Sequence, residues 1–269
     1  MDKDAFYHKW DDMPKYGEYL YKRAIGELEE MESSINVCSV IEKLYKPGMS
    51  ILDVGCGSGH YYRSLKDRLD INVNYKGVDK TRHYIQLARK AFNNDKMFSI
   101  GDIYNLEFED GSFDIVMCNN LIVHLPPPPP PTPPPPAIKE LIRVSNKAII
   151  IRVYVGGKNY IVKEVFRSDQ IEGVEPESSN PESEADLIKP DGELVRFGYF
   201  NMYTKRYYTE IIKRIDPDIQ IQFISDNLYE GFDNRQIGGK SGIYVAAGKQ
   251  IVDNFIRDSQ FILITKRDR

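Results

Sequence analysis

The chain has 269 residues, with 36 Lys and Arg against 40 Asp and Glu, and a formal net charge of −4. Apolar residues make up 41% of it, which is typical of a globular protein with a buried core. No signal peptide is visible at the charged N-terminus, and no run approaches the ~20 apolar residues of a membrane span. The mild negative charge gives no footprint for a nucleic-acid backbone. We therefore expect no membrane and no nucleic acid among the partners.

Cysteine and proline usage adds two constraints. Cys38, Cys56 and Cys118 are scattered and form no CxxC pair or zinc spacing, which indicates a reduced, cytoplasmic protein without a metal site. Ten of the 16 prolines fall between Pro126 and Pro136, while the rest of the composition is ordinary. That run excludes a helix interior or a central strand and predicts extended polyproline II.

The first predicted elements are helical. Apolar residues recur at helical spacing over residues 15–45, with Ser33 and Ser34 as a point where the helix breaks or is capped again. Pro47 and Gly48 end it. Short apolar runs then alternate with helical stretches, which predicts βαβ units on a parallel sheet covered on both faces. The predicted strands are residues 49–54, 73–78, 97–100, 113–118 and 148–153.

Beyond residue 156 the pattern weakens. Residues 172–193 carry eight acidic side chains and three prolines, which predicts an exposed loop or mobile lid. A helix over 204–215 and strands over 219–224 and 261–265 complete a mostly parallel seven-stranded α/β sheet. The segments 156–203 and 226–258 are predicted to be insertions in a domain of residues 47–269, preceded by a helical extension of residues 1–46.

A glycine-rich turn follows the first strand, in ILDVGCGSG at residues 51–59. Glycine allows the tight reversal and the close approach of a ligand, and the helix start beyond it favours an anionic group. The next strand ends in Asp79, whose carboxylate can accept hydrogen bonds from ribose hydroxyls. A dinucleotide fingerprint G-x-G-x-x-G would need a third glycine where His60 stands, which disfavours NAD.

The pattern Gly55-x-Gly57-x-Gly59, preceded by Asp53, resembles motif I of the class I S-adenosylmethionine-dependent methyltransferases. GVD at 77–79, GD at 101–102, FDIVMCNNLIVHLP at 113–126 and KELIRVS followed by AIIIR resemble their later motifs in the same order. The resemblance covers residues 49–155, and more weakly 204–224 and 260–266. It implies a Rossmann-like doubly wound fold, S-adenosylmethionine as cofactor, S-adenosylhomocysteine as product, and a small-molecule acceptor.

The resemblance also implies roles for single residues. The glycine backbone would cradle the methionine part of the cofactor, which Asp53 would orient. Asp79 would hold the ribose, Asp102 and the Ile103 amide would meet the adenine, and Asn119 would offer a backbone carbonyl. A plain strand-end carboxylate remains the alternative for Asp79, and a common Gly-Asp turn for Asp102. The predicted cofactor-binding set is Asp53, Gly55, Cys56, Gly57, Gly59, Asp79, Lys80, Asp102, Ile103 and Asn119.

Methyl transfer is an in-line displacement, and a general base is needed only where the acceptor carries a proton. His124, after the fourth strand, is the candidate base, and a loop histidine bonded to backbone is the alternative. Cys56 is interpreted as a small loop residue rather than a nucleophile, because no base adjoins it in sequence. Aromatic residues of the N-terminal extension either close over the cofactor or pack ordinarily, and those at 199–208 belong to the core or to an acceptor pocket.

The predicted function is methyl transfer to an oxygen or nitrogen atom of a small molecule, with a sugar or polysaccharide precursor as one acceptor class. A non-catalytic cofactor-binding protein that docks a partner through the proline run at 126–136 is the first alternative. In the second alternative the chain is an NAD-dependent oxidoreductase. For the proline run itself, a spacer role stays open beside the docking role.

Overall fold

A computed structural model describes residues 14–69, 74–125, 136–166, 196–226, 244–246, 249–252 and 255–267. In these ranges the α-helices are α1 (Pro14–Ile25), α2 (Glu32–Glu42), α3 (His60–Leu69), α4 (Arg82–Phe92), α5 (Pro136–Val144) and α6 (Lys205–Ile215). The first strands are β1 (Ser50–Val54), β2 (Asn74–Asp79), β3 (Phe98–Ile100), β4 (Phe113–Asn119), β5 (Ser145–Val155) and β6 (Tyr160–Phe166). The later strands are β7 (Arg196–Met202), β8 (Gln220–Ser225), β9 (Tyr244–Ala246), β10 (Lys249–Val252) and β11 (Phe255–Thr265).

The main sheet has the order β3-β2-β1-β4-β5-β11, with β8 paired to the far side of β11. Strands β1 to β5 are parallel, and β11 runs antiparallel to both β5 and β8. This confirms the predicted mostly parallel, seven-stranded α/β sheet. A hairpin of β9 and β10 pairs with the first residues of β11 and lies within the insertion predicted at 226–258.

The N-terminal helical run is interrupted earlier than the serines indicated. Helix α1 ends at Ile25, and Gly26 follows with φ +86°, a left-handed conformation that glycine adopts without strain. Ser33 and Ser34 instead lie inside α2 and are buried. The break therefore falls where the backbone needs positive φ, not at the polar residues.

The two faces of the sheet bury separate apolar clusters. Helices α5 and α6 cover one face, and Leu141, Ile212 and Ile151 of β5 belong to the same buried cluster there. Helices α2, α3 and α4 cover the other face, with Ile41, Leu65 and Ile85 in its cluster. Coverage on both faces explains why these strands are continuously apolar.

The aromatic residues around α6 belong to the core rather than to a pocket. Tyr203 and Tyr207 stack with their ring centroids 4.5 Å apart, and Tyr208 is fully buried against them. The predicted insertion at 156–203 contributes β6 and β7, which pair as a separate two-stranded antiparallel sheet. The acidic stretch 172–193, most of the proline run and the first 13 residues lie outside the described residues.

Candidate functional site

A cleft opens at the carboxyl ends of β1, β2 and β4, with a volume of about 980 Å³ that includes space open to solvent. Strands β1 and β4 are neighbours there. From β1 the strand order continues through β2 and β3 to one edge of the sheet, and from β4 it continues through β5 in the opposite direction. Ligands of open parallel sheets bind at such a switch point. Eight of the predicted site residues line this cleft: Gly55, Gly57, Asp79, Lys80, Asp102, Ile103, Asn119 and His124.

The glycine turn is fastened to the neighbouring strand. The Gly55 and Cys56 amides both donate to the carbonyl of Val78, at 2.8 and 3.1 Å. Gly57 has φ +55°, and a Cβ added to it would lie 2.9 Å from Cδ1 of Leu20. Glycine is therefore required both for the backbone conformation and for the space between the turn and α1.

Asp79 joins three parts of the cleft. Its Oδ2 accepts a hydrogen bond from the Gly57 amide at 2.9 Å, and its Oδ1 accepts one from the Thr81 amide at 2.8 Å. Thr81 precedes α4, so the carboxylate lies between the glycine turn and a helix N-terminus. The carboxylate also lines the cleft.

Lys80 and Asp102 form an ion pair across the ends of β2 and β3, with the Nζ and Oδ2 atoms 3.1 Å apart. The other oxygen of Asp102 accepts from the Tyr104 amide at 3.0 Å, which keeps the turn after β3 closed. Ile103, 5% exposed, places an apolar side chain beside this pair on the cleft wall. A planar apolar ring with polar edges would find both kinds of contact here.

Asp53 and Cys56 lie beneath the turn rather than on the cleft wall. Asp53 is fully buried, and its Oδ2 accepts a hydrogen bond from the Tyr75 hydroxyl at 2.8 Å. Its other carboxylate oxygen is buried without a partner among the described residues. Burial is the largest cause that raises the pKa of Asp53 to about 7. Cys56 is buried as well, and burial raises the pKa of its thiol well above the usual range.

The raised pKa of Asp53 predicts a stability that falls as the pH rises. Between the unfolded-state pKa near 4 and the folded-state value of about 7, the native state binds more protons than the unfolded state. We expect the free energy of unfolding of the wild type to fall by about 2 to 3 kcal/mol from pH 5 to pH 8, relative to a variant without this carboxylate. Urea unfolding of the wild type and of Asp53→Asn at both pH values measures it. The difference in free energy of unfolding between the two proteins should increase with pH in favour of the variant, and a constant difference would contradict the assignment.

Asn119 and the residues after it form the wall beyond β4. The Asn119 side chain is 4% exposed, and both its amide nitrogen and its amide oxygen are buried without a partner in the described structure. Asn120 has a left-handed backbone with φ +58°. A short 3-10 helix, Ile122–His124, then brings His124 to the cleft. An unpartnered buried amide in a cleft is a ready hydrogen-bonding group for a ligand.

A buried ion pair supports this wall from behind. The Nε atom of Arg152 lies 2.6 Å from Oδ2 of Asp226, with the two side chains 4% and 0% exposed. Arg152 also donates to the side-chain oxygen of Asn120. Asp226 accepts further hydrogen bonds from Ser259 at 2.6 Å and from the Asn36 amide at 3.1 Å. The network thereby connects the cleft wall to β11 and α2.

The N-terminal extension packs over the cleft. Tyr16 and Leu20 of α1 line it, and the Ser58 hydroxyl of the glycine turn donates to the Gly17 carbonyl at 2.7 Å. A Cβ at Gly17 would lie 2.4 Å from the ring of Tyr84, so the two helices approach closely at this glycine. The interpretation that aromatic residues here reach the cofactor side therefore fits Tyr16, whereas Tyr19 is 38% exposed.

The sequence analysis assigned no site role to five polar residues that line the cleft: His60, Tyr61, Thr81, Tyr84 and Asn120. His60 follows the last glycine of the turn directly, so its position in the motif was a usable signal. Its pKa is lowered to about 3, first by burial and then by the positive charge of Arg23. The imidazole is therefore neutral at physiological pH.

Two absences are limited to the described part of the chain. Within it, no group of three or more His, Cys, Asp or Glu side chains is arranged to hold a metal ion. Among the helices described, none is long and apolar enough to cross a bilayer.

The fold and the cleft define a Rossmann-like α/β protein that binds a nucleoside-containing ligand at the glycine turn. Residues 51–147 match the family model of a methyltransferase domain. The fold resembles a S-adenosylmethionine-dependent methyltransferase of Methanosarcina mazei with a TM-score of 0.51 at 15% identity, covering 86% of this chain and 98% of that one. Residues 51–147 therefore form a methyltransferase domain, which confirms the resemblance to the class I S-adenosylmethionine-dependent methyltransferases.

Two curated relatives are similar in sequence. An uncharacterized protein of Methanocaldococcus jannaschii is 30% identical over 174 residues, covering 62% of this chain and 66% of that protein. The mitochondrial ubiquinone biosynthesis O-methyltransferase of Saccharomyces cerevisiae is 34% identical over 114 residues, covering 41% of this chain and 35% of that protein. The match thus spans less than two thirds of the length of either relative.

Proposed function

We propose that this protein transfers a methyl group from S-adenosylmethionine to an oxygen or nitrogen atom of a small molecule. The observation that carries the proposal is the Asp79 carboxylate, held 2.9 Å from the Gly57 amide at the cleft. An acidic group at the end of β2 beside a glycine turn suits a ribose next to the amino-acid part of the cofactor. The family membership of residues 51–147 supports the same cofactor.

The residues present fit this cofactor. The side-chain amide of Asn119 lies on the cleft wall with both polar atoms buried, and neither has a partner in the part of the chain that the structure describes. At Gly57 the turn presents bare backbone to the cleft. Ile103 together with the Lys80–Asp102 pair supplies an apolar surface with polar groups at its edge, which suits an adenine. Hydrogen-bonding groups thus lie along the cleft from the glycine turn to the end of β3.

In the bound state, S-adenosylmethionine would supply a methyl group that is already activated on a sulfonium. The protein's residues therefore have to align the acceptor and exclude water. Tyr16 and Leu20 of α1 cover the cleft and reduce its access to solvent. We propose that residues 1–46 act as the cofactor cover, with α1 closing on the glycine turn through Ser58 and Gly17.

We propose His124 as the general base for an acceptor that carries a proton. It lies on the cleft wall beyond β4, next to the buried Leu125. His124→Ala should lower kcat by about 100-fold or more and should flatten the acidic limb of the pH–rate profile. S-adenosylhomocysteine affinity should stay unchanged. If the pH–rate profile keeps its shape, His124 is not the base, and the alternative of a loop histidine hydrogen-bonded to the backbone is favoured.

Small acceptors suit a cleft whose wall includes Tyr16 and Leu20 of α1, since these side chains narrow its access. Sugars and polysaccharide precursors are one class to include, because they carry free hydroxyl groups. We also propose a cytoplasmic location, which the free and buried thiols of Cys38, Cys56 and Cys118 support.

Calorimetry with S-adenosylmethionine, S-adenosylhomocysteine and NAD tests the cofactor. We expect binding of the first two and none of NAD, and binding of NAD alone would overturn the proposal. A mass-spectrometric screen of metabolites for a gain of one methyl group then tests turnover. If the cofactor binds but a broad screen finds no acceptor, a non-catalytic role with docking through residues 126–136 is favoured instead.

A further inference from the structure

We propose that His60 is a specificity residue that recognises the amino-acid end of the cofactor. This inference rests on the proposed function, since it assumes a nucleoside ligand with a methionine-derived tail. His60 is the first residue of α3, directly after the glycine turn, and lines the cleft. Its side chain is 7% exposed, and its Nδ1 atom is buried without a partner in the described structure.

The imidazole is directed at the middle of the glycine turn. The position that a Cβ of Gly57 would occupy lies 3.7 Å from Cε1 of His60 and 3.8 Å from Nδ1. Gly57 itself lines the cleft at the point where the turn has no side chain. The unpartnered nitrogen therefore lies beside Gly57, which lines the cleft together with Leu20.

Packing fixes this orientation. The His60 ring lies against the ring of Tyr61 with the centroids 4.2 Å apart, and Leu20 of α1 approaches the same stretch of the turn. A side chain held by such a ring contact loses little freedom on binding, so its hydrogen bond acts as a preorganised contact.

The charges around His60 suit a zwitterionic tail. The imidazole is neutral, so it offers one nitrogen that donates and one that accepts. An amino acid carries an ammonium donor and a carboxylate acceptor, and either tautomer of His60 finds a matching group. The positive charge of Arg23 acts on the same ring and favours the carboxylate nearby.

The simpler role for His60 is packing on Tyr61, and a comparison of two ligands separates the roles. 5′-Methylthioadenosine has the nucleoside and the thioether of S-adenosylhomocysteine but lacks the amino-acid end. In His60→Phe the ring contact with Tyr61 is kept and both nitrogens are removed. We expect the variant to bind S-adenosylhomocysteine about 10- to 100-fold more weakly. Its affinity for 5′-methylthioadenosine should change less than about threefold.

Matched variants complete the calorimetric experiment. His83, on α4, also has a buried nitrogen without a partner in the described structure but does not line the cleft. His83→Phe should therefore change neither affinity, while His60→Gln should retain part of the preference for S-adenosylhomocysteine. If His60→Phe does not fold, His60→Leu carries the same comparison.

Equal losses for both ligands, or no loss for either, would overturn the role of His60. That result is distinct from a failure of the proposed function, in which the wild-type protein itself would not bind S-adenosylhomocysteine.

Discussion

Asp226→Ala should lower the free energy of unfolding by about 3 to 5 kcal/mol, because it leaves the Arg152 guanidinium buried without its counter-charge. Asp226 is fully buried, and Arg152 Nε lies 2.6 Å from its Oδ2. The substitution also removes the acceptor of the Ser259 hydroxyl. Urea unfolding followed by circular dichroism measures the loss.

Two further variants distinguish the effect of an unpaired buried charge from a general loss of stability on substitution. In Arg152→Met with Asp226→Leu both charges are absent, so the double variant should be more stable than Asp226→Ala. Glu210→Ala removes an exposed ion pair with Arg206 and should leave the urea midpoint unchanged. If Asp226→Ala were no less stable than Glu210→Ala, the buried pair would not be formed.

Replacing Arg152, as in the Arg152→Met and Asp226→Leu double variant, should also change the wall of the cleft. Arg152 donates to the side chain of Asn120, whose backbone is left-handed on the cleft wall. Loss of this bond releases a residue that depends on its surroundings for that conformation. We therefore expect weaker acceptor binding as well as lower stability.

Asp79→Ala should weaken S-adenosylhomocysteine binding by about 30- to 150-fold, which corresponds to the loss of charged hydrogen bonds worth about 2 to 3 kcal/mol. The variant would lose the proposed contacts to the ligand, and it loses the acceptor that positions the Gly57 and Thr81 amides. Asp79→Asn keeps one acceptor oxygen, so its affinity should lie between those of Asp79→Ala and the wild type. Calorimetry on the folded proteins measures both.

A matched control for Asp79 is Asp67→Ala, because Asp67 is an acidic residue on the exposed side of α3, paired only with Arg63 among its described contacts. Its affinity for S-adenosylhomocysteine should equal that of the wild type. Unchanged affinity in Asp79→Ala would mean that the carboxylate is a plain strand-end group, the alternative that the sequence left open.

The strands and the glycine turn could be predicted because their signals are local. The run Ile51–Val54 is apolar and short, and Gly55 follows it at once, so element type and position appear within a few residues. The acidic residue at the end of β2 could be placed for the same reason. The N-terminal break was misplaced because Ser33 and Ser34 were weighed as a break, whereas Gly26 in the left-handed region ends α1.

The cleft's supporting contacts could not be predicted. Arg152 and Asp226 are 74 positions apart, and Asn36 and Asp226 are 190 apart, so no window of sequence contains both partners. Asp53 precedes the turn in the motif, yet its carboxylate lies beneath the turn beside Tyr75. Which side of the strand a single polar residue faces depends on packing from both neighbouring strands.

The sequence by itself therefore determined the class of this protein: the order of strands and helices, the glycine turn, and the acidic strand end that suits a ribose. Those features follow from local periodicity and from the conformations that glycine allows. The tertiary structure decided that His60 and Asn119 have polar atoms without partners among the described residues, that Tyr16 and Leu20 of α1 line the cleft, and that a buried ion pair supports its wall. Burial and contacts between distant residues exist only once the chain has folded, because they depend on which surfaces the packing brings together.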